Sequence, residues 1–227
     1  TQIFQEAVIE KGLFYPPDPS SRGSCFLGGN LAESAGGPRA VKYGVTKDYV
    51  LNTQVVLPTG ETIWTGANVL KNSTGYNLTQ LIVGSEGTLG VITKIVFKLL
   101  PHPKKNVVIL IPFFSAEKAC EVVSAVFRAG VIPSAMEFME RDAIDWAMKY
   151  MAHPNPPEGR ELHAHAHAQS SPLRGDKRGA TEVAAHLLVE VDGNDLDIIM
   201  KDVERISEVM EKHECDDGRK HTAACLL

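Results

Sequence analysis

Apolar positions Ile3, Phe4, Ala7 and Val8 recur at helical spacing, with Gln5, Glu6, Glu10 and Lys11 around them and Gly12 as a stop. A short helix is predicted over Ile3–Lys11. The stretch Tyr15-Pro16-Pro17-Asp18-Pro19-Ser20-Ser21 cannot continue it, because its prolines hold the backbone extended and remove amide donors. Gly28 and Gly29 permit a sharp turn, the small residues from Asn30 to Ala35 suit a short helix, and Gly36-Gly37-Pro38 ends it. From Tyr49 the pattern changes to a β-rich run over Val50–Leu57, then Pro58-Thr59-Gly60-Glu61, then a second β-rich run over Thr62–Thr65. Two such runs around a Pro/Gly turn predict a hairpin. Leu78, Leu81 and Ile82 return to helical spacing behind Asn77, a candidate cap. The chain then enters a tight turn over Gly84–Gly90 that feeds a strand over Val91–Leu99.

At Pro101-His102-Pro103-Lys104-Lys105 the composition shifts to proline and lysine, and a domain boundary is placed there. Beyond it the pattern predicts a strand over Val107–Phe113, a helix over Ala116–Ala129 ending at Gly130, a strand over Ser134–Phe138 and a helix over Asp142–Met151. That order suits an α+β or α/β half-domain with helices on one face of a sheet. Regularity fails over residues 153–182, read as an irregular insertion. An extended backbone would point His163, His165 and His167 the same way, but no Asp, Glu or Cys completes a ligand set, and no metal site is assigned. A strand returns over Ala184–Val191, and Ile199, Val203, Ile206, Val209 and Met210 trace a helix face over Leu196–Lys212. His213–Leu227 shows no pattern.

With 227 residues, 44% hydrophobic and 22% charged, the composition is that of a globular protein rather than a disordered one. A net charge of −5 with dispersed lysines and arginines gives no footprint for nucleic acid. Cys25, Cys120, Cys215 and Cys225 form no C-x-x-C pair, so reduced thiols in a cytoplasmic setting are expected. No run reaches the roughly 18 apolar residues of a membrane span. The two glycine stretches, GGNLAESAGGPRAVKYG over Gly28–Gly44 and GSEGTLGVIT over Gly84–Thr93, carry the candidate chemistry. Glycine removes the side chains that keep a flat ligand or a phosphate from the backbone, so both are read as walls of one cofactor site. The Gly28–Pro38 stretch taken alone is also compatible with a plain glycine-rich connector.

Taken in order, Pro16-Pro17-Asp18-Pro19-Ser20-Ser21, GGNLAESAGGPRAVKYGVTKDYVL, VVLPTGE, GYNLTQLIVGSEGTLGVIT and the later AAHLLVEVDGND resemble FAD-linked 2-hydroxy-acid dehydrogenases, the glycolate oxidase D-subunit and D-lactate dehydrogenase group of the vanillyl-alcohol-oxidase superfamily. The resemblance implies an α+β fold. Residues 1–101 would be the second part of a PCMH-type FAD-binding domain, and 106–227 the first part of an FAD-linked oxidase C-terminal domain. It implies FAD as cofactor, a small 2-hydroxy acid such as glycolate or D-lactate as substrate, an unidentified electron acceptor, and partner subunits of an oxidase complex. Pro17, Asp18, Pro19, Ser20 and Ser21, with Gly28, Gly29, Asn30, Ala32, Glu33, Ser34, Ala35, Gly36 and Gly37, would line the pyrophosphate and flavin. Glu86, Gly87, Thr88, Leu89, Gly90, Val91 and Ile92 would meet the adenine and ribose side, largely through backbone. Glu33 and Glu86 are acidic beside an anionic ligand and are assigned to structure or ribose. Two family segments have no match here: a first flavin subdomain, expected before residue 1, and a histidine motif supplying metal ligands and base, expected after the last helix. No catalytic residue is therefore assigned, and the chain alone is expected to be inactive. A flavin-free assembly subunit is the alternative reading.

Overall fold

The computed structural model describes residues 1–151, 183–214 and 224–226. They form two compact units, Thr1–Lys105 with Asp192–Asn194, and Asn106–Val191 with Asp195–Leu227. The architecture is α+β.

In the first unit, α1 (Gln2–Ile9) buries Val8 and lays Phe4 against the rings of Tyr15 and Phe97, with centroids 5.3 and 5.2 Å apart. Tyr49 meets Tyr15 edge-on at 6.1 Å and completes the aromatic cluster. Burial pushes the Tyr15 and Tyr49 phenols up to about 12. The hairpin forms as expected from the alternation: β2 (Val50–Val56) is central, pairing antiparallel with β3 (Thr62–Trp64) and β4 (Val91–Phe97). Thr53, Thr65 and Thr79 link their hydroxyls at 2.7 and 2.8 Å, so polar groups under the hairpin satisfy one another. Asn77 caps α4 (Leu78–Ile82), its Oδ1 accepting from the Gln80 amide at 3.0 Å.

One difference from the sequence reading lies at the linker. Leu100–Pro101 forms a short strand, β5, antiparallel to β1 (Leu13–Phe14), and the next strand already starts at Lys105. Proline is tolerated there because a two-residue ribbon has an outer edge that needs no donor.

In the second unit the sheet order is β7 (Ala135–Glu140), β8 (Ala185–Gly193), β6 (Lys105–Phe113), β9 (Ala224–Leu226). Val107, Ile109, Ile111 and Phe113 of β6 alternate into one core with Ala185, Leu187, Val189 and Val191 of β8. That core is covered by α5 (Ala116–Arg128) through Ala119, Val122, Ala125 and Val126, and by α7 (Leu196–Glu214) through Ile199, Val203, Ile206, Val209 and Met210. Helices on one face of a sheet are what the β-α-β-α order suggested. A further helix, α6 (Arg141–Met151), follows β7. The sequence reading left the tail without a strand, yet Ala224–Leu226 pairs with Leu110–Val108. Three residues are too few to show alternation, and the strand exists through its pairing. The insertion assigned to 153–182, with His163, His165 and His167, lies outside the described residues.

Ser115 caps α5, its Oγ accepting from the Lys118 amide at 3.3 Å. Ser115→Ala is expected to cost about 1 kcal/mol in chemical denaturation. His186, on the face of β8 opposite the core residues, is only 5% exposed, and its Nδ1 finds no hydrogen-bond partner among the described residues. Burial lowers its pKa below the ordinary 6.5. The unfolded chain therefore binds this proton first as pH falls. The contribution of neutral His186 is complete above 6.5, declines as pH drops below that value, and levels off under the lowered folded-state pKa. Denaturation across this window should show the slope in the native protein and not in His186→Leu.

Candidate functional site

The Gly28–Gly44 stretch folds into α2 (Leu27–Glu33), a connecting segment and α3 (Ala40–Tyr43). The sequence reading put a turn at Gly28-Gly29 and began the helix at Asn30. The helix instead begins at Leu27 behind an extended Phe26, and its first ladder bond runs from the Asn30 amide to the Phe26 carbonyl at 3.1 Å. Both glycines thus occupy the first turn, where the amides precede the ladder and glycine's low helix propensity costs little. Leu31 is completely buried against Val50 and Val83, with Ile92, Ile95 and Phe97 alongside, and this contact seats α2 on the hairpin sheet. The helix ends at Ser34 in the left-handed region, φ 55°, where Ala35 donates back to Asn30 at 2.8 Å.

The second glycine stretch closes onto that end. Gly84 donates to the Leu31 carbonyl and Glu86 to the Ala32 carbonyl, both at 2.9 Å, satisfying acceptors that the end of a helix would otherwise leave bare. Gly84, Glu86 and Gly87 all have positive φ, which coils the turn tightly enough for two successive contacts. Gly90 fits its backbone onto β2: a Cβ there would lie 2.6 Å from Val55 Cγ1 and 2.8 Å from the Val56 carbonyl oxygen. The proline loop joins the same assembly at Gly37, whose Cβ would lie 2.2 Å from the Asp18 carbonyl oxygen. Gln5 Nε2 holds the loop from behind by donating to the Pro17 carbonyl at 2.9 Å. The three segments named from the sequence are therefore neighbours: the loop on Gly37, and the Gly84–Glu86 turn on α2.

Within this assembly the candidates separate by exposure. Ser20, Ser21, Gly28, Gly29, Glu33, Glu86, Gly87, Thr88, Leu89 and Val91 are exposed. Pro17, Asn30 and Gly90 are buried, and Asp18, Pro19, Ala32, Ser34, Ala35, Gly36, Gly37 and Ile92 lie between. Asn30 spends its amide on Thr1 Oγ1 at 2.7 Å, and Thr88 Oγ1 donates to the Ser85 carbonyl at 2.6 Å, so both side chains have structural duties. Asp18 faces Arg22 at 3.3 Å.

Space around the glycines tests the fit to FAD. At Gly28, Gly29 and Gly87 nothing lies within 4 Å of where a Cβ would be, so the backbone is bare on an exposed side. Leu89 and Val91, 40% and 64% exposed, add apolar surface next to Gly87 in sequence. Uncharged amides for a diphosphate and apolar side chains for flat rings are the donor set that FAD needs. The residues fit one flank of such a ligand.

Sequence reasoning missed the anchor of α3. Lys42 Nζ and Tyr43 Oη both donate to the Asp192 carboxylate, Tyr43 at 2.7 Å, and Lys42 also reaches the Asp192 carbonyl at 3.1 Å. Asp192 is 8% exposed. Burial and the adjacent carboxylate together hold the Tyr43 phenol well above its usual range. Nothing at positions 42 and 43 names a partner 150 residues away; the only signal was that VEVDGND stood among the resembling motifs.

Among the described residues no His/Cys/Asp/Glu group suits a metal, and Cys25 and Cys120 are free thiols. No helix among them is long and apolar enough to cross a membrane. Comparison with known proteins gives two family matches: the FAD binding domain over residues 2–66, and the C-terminal domain of FAD linked oxidases over residues 102–224. A D-lactate dehydrogenase of Anaerostipes hadrus is 40% identical over 201 residues, 88% of this chain and 38% of the relative. Glycolate oxidase subunit GlcD of Escherichia coli (strain K12) is 36% identical over 214 residues, 94% of this chain and 38% of that protein. GlcD of Bacillus subtilis (strain 168) is 46% identical over 138 residues, 61% of this chain and 29% of it. The chain thus spans well under half the length of these relatives. An alkyldihydroxyacetonephosphate synthase structure shares the fold, with a TM-score of 0.72 at 22% identity, covering 92% of this chain and 36% of the other. With a C-terminal-domain match over more than half of its residues, the chain belongs to the FAD-linked oxidases, a family of oxidoreductases whose cofactor is FAD.

Proposed function

We propose that this chain supplies one flank of the FAD site in an enzyme that oxidises a 2-hydroxy acid of the glycolate or D-lactate type to the 2-oxo acid. One observation carries the reading: the Gly84–Glu86 turn is hydrogen-bonded to the end of α2, which joins the two glycine stretches. In this reading residues 1–101 act as a partial PCMH-type FAD-binding domain and 106–227 as a partial substrate domain. Pro17–Ser21 and Gly28–Gly37 hold the pyrophosphate and flavin side, and Glu86–Ile92 the adenine and ribose side. When bound, the flavin accepts the hydride. The chain's own work is to bind and orient: amides of α2 meet phosphate oxygens, and Leu89 and Val91 exclude water from the rings. Glu33 and Glu86 stay off the phosphates and are free for ribose hydroxyls.

Similarity to proteins named D-lactate dehydrogenase and glycolate oxidase subunit supports the substrate class, and disfavours a flavin-free assembly subunit. The GlcD relatives support partner subunits in an oxidase complex, with an electron acceptor still to be named. A cytoplasmic location agrees with the cysteine pattern.

Titration with FAD and with riboflavin tests the reading. Quenching of flavin fluorescence should be stronger with FAD, because the amides and the Glu86–Ile92 turn address the parts that riboflavin lacks. Equal binding of both, or of neither, contradicts it. No residue here matches the family's base, so dye reduction by the chain alone with D-lactate or glycolate should stay at background. Robust reduction would overturn that part.

A further inference from the structure

We infer that Asp192 is a positioning residue for the FAD flank, acting through α3; the inference rests on the flavin reading above. Its carboxylate collects two donors from adjacent residues of one short helix, Lys42 Nζ on one oxygen and Tyr43 Oη on the other at 2.7 Å. Adjacent helical residues point about 100° apart, so a single acceptor for both fixes the rotation of α3 as well as its position. The Tyr43 carbonyl is held in turn by Tyr49 Oη at 2.6 Å, and the Tyr43 ring meets Phe14 edge-on at 5.5 Å. At its other end α3 begins with the Ala40 amide donating to the Gly37 carbonyl at 3.0 Å. Gly37 is the residue on which the Asp18-Pro19 backbone rests without room for a methyl group. A continuous path of short contacts thus leads from Asp192 to the proline loop.

The chemistry suits a fixed support. A buried carboxylate with a cation and a phenol in place is satisfied, whereas removing its charge leaves Lys42 without its counter-ion and Tyr43 with a weaker acceptor. The displacement that follows is transmitted to Gly37, because close packing at that contact leaves no slack. The hydrogen bonds of Asp192 among the described residues go to Lys42 and Tyr43, neither of them a proposed cofactor-binding residue, which distinguishes positioning from binding.

The experiment measures FAD affinity, and the rise in Tm that FAD produces, in the unsubstituted chain and in Asp192→Asn, Tyr43→Phe and Ser115→Ala. The expected result is a loss of about tenfold or more in FAD affinity for Asp192→Asn, with a smaller loss for Tyr43→Phe, and a correspondingly reduced FAD-induced Tm rise. Ser115→Ala, destabilised in the other unit, should lower Tm while keeping the full FAD-induced rise. If Asp192→Asn does not fold, Tyr43→Phe decides by the same criterion, since it keeps the ring packing and the Lys42 bond. Unchanged FAD affinity in the folded variants overturns the inference and leaves the flavin reading standing. No FAD-induced rise in the unsubstituted chain overturns the flavin reading, and this inference with it.

Discussion

Gly37→Ala is expected to lower stability by about 2–4 kcal/mol and to abolish measurable FAD binding. The new methyl carbon would sit 2.2 Å from the Asp18 carbonyl oxygen and 3.1 Å from the Pro19 nitrogen. Both are backbone atoms, so no side-chain rotation relieves the clash. Residues Pro16, Pro17 and Pro19 stiffen the loop that would have to move. Overpacking of this kind typically costs about 1–3 kcal/mol, and the backbone at φ 152° adds strain for any residue with a Cβ. The loop would settle away from α2, separating two of the three segments that form the flank. Urea denaturation gives the stability, and flavin fluorescence the binding. Wild-type values in both would show that the close approach at Gly37 is dispensable.

Leu31→Ala is the second large effect, expected to cost about 2–5 kcal/mol. Leu31 is wholly buried and carries α2 into the small core formed with Val50 and Val83. Its carbonyl also accepts the Gly84 amide. The cavity therefore opens directly beneath the junction of the two glycine stretches. A lower denaturation midpoint with an unchanged slope would identify lost packing as the cause. Hydrogen exchange should accelerate at the Gly84 and Glu86 amides, while α5 and α7 keep their protection. Uniform acceleration across both units would contradict the local account.

Periodicity made the large elements legible. The core faces of α5 and α7 repeat at helical spacing, and the hairpin alternates around Pro58–Glu61, so each announced itself within its own window. Asn77 was legible too, because a cap is a local hydrogen bond two or three residues away. What stayed hidden depends on partners distant in sequence. Leu100–Pro101 is a strand only because Leu13–Phe14 lies beside it, and Ala224–Leu226 only because of β6. The start of α2 was misplaced because glycine is equally at home in a turn and in a first helical turn, and the extended Phe26 decided between them. At the site, the residue types were legible and their division of labour was not. Gly28 and Gly87 open onto bare backbone, whereas Gly37 and Gly90 are pressed onto neighbouring chain, and no local pattern distinguishes the two kinds. Asp192 illustrates the limit: its partners lie 149 and 150 residues away.

Hydrogen exchange of the backbone amides, recorded with and without saturating FAD, tests the central claim most directly. Gly28, Gly29 and Gly87 are exposed with open space around each, and their amides should slow several-fold together when FAD is added, with those of α5 and α7 unchanged. FAD that binds while these three amides keep their free rates would contradict a cofactor flank built from the two glycine stretches.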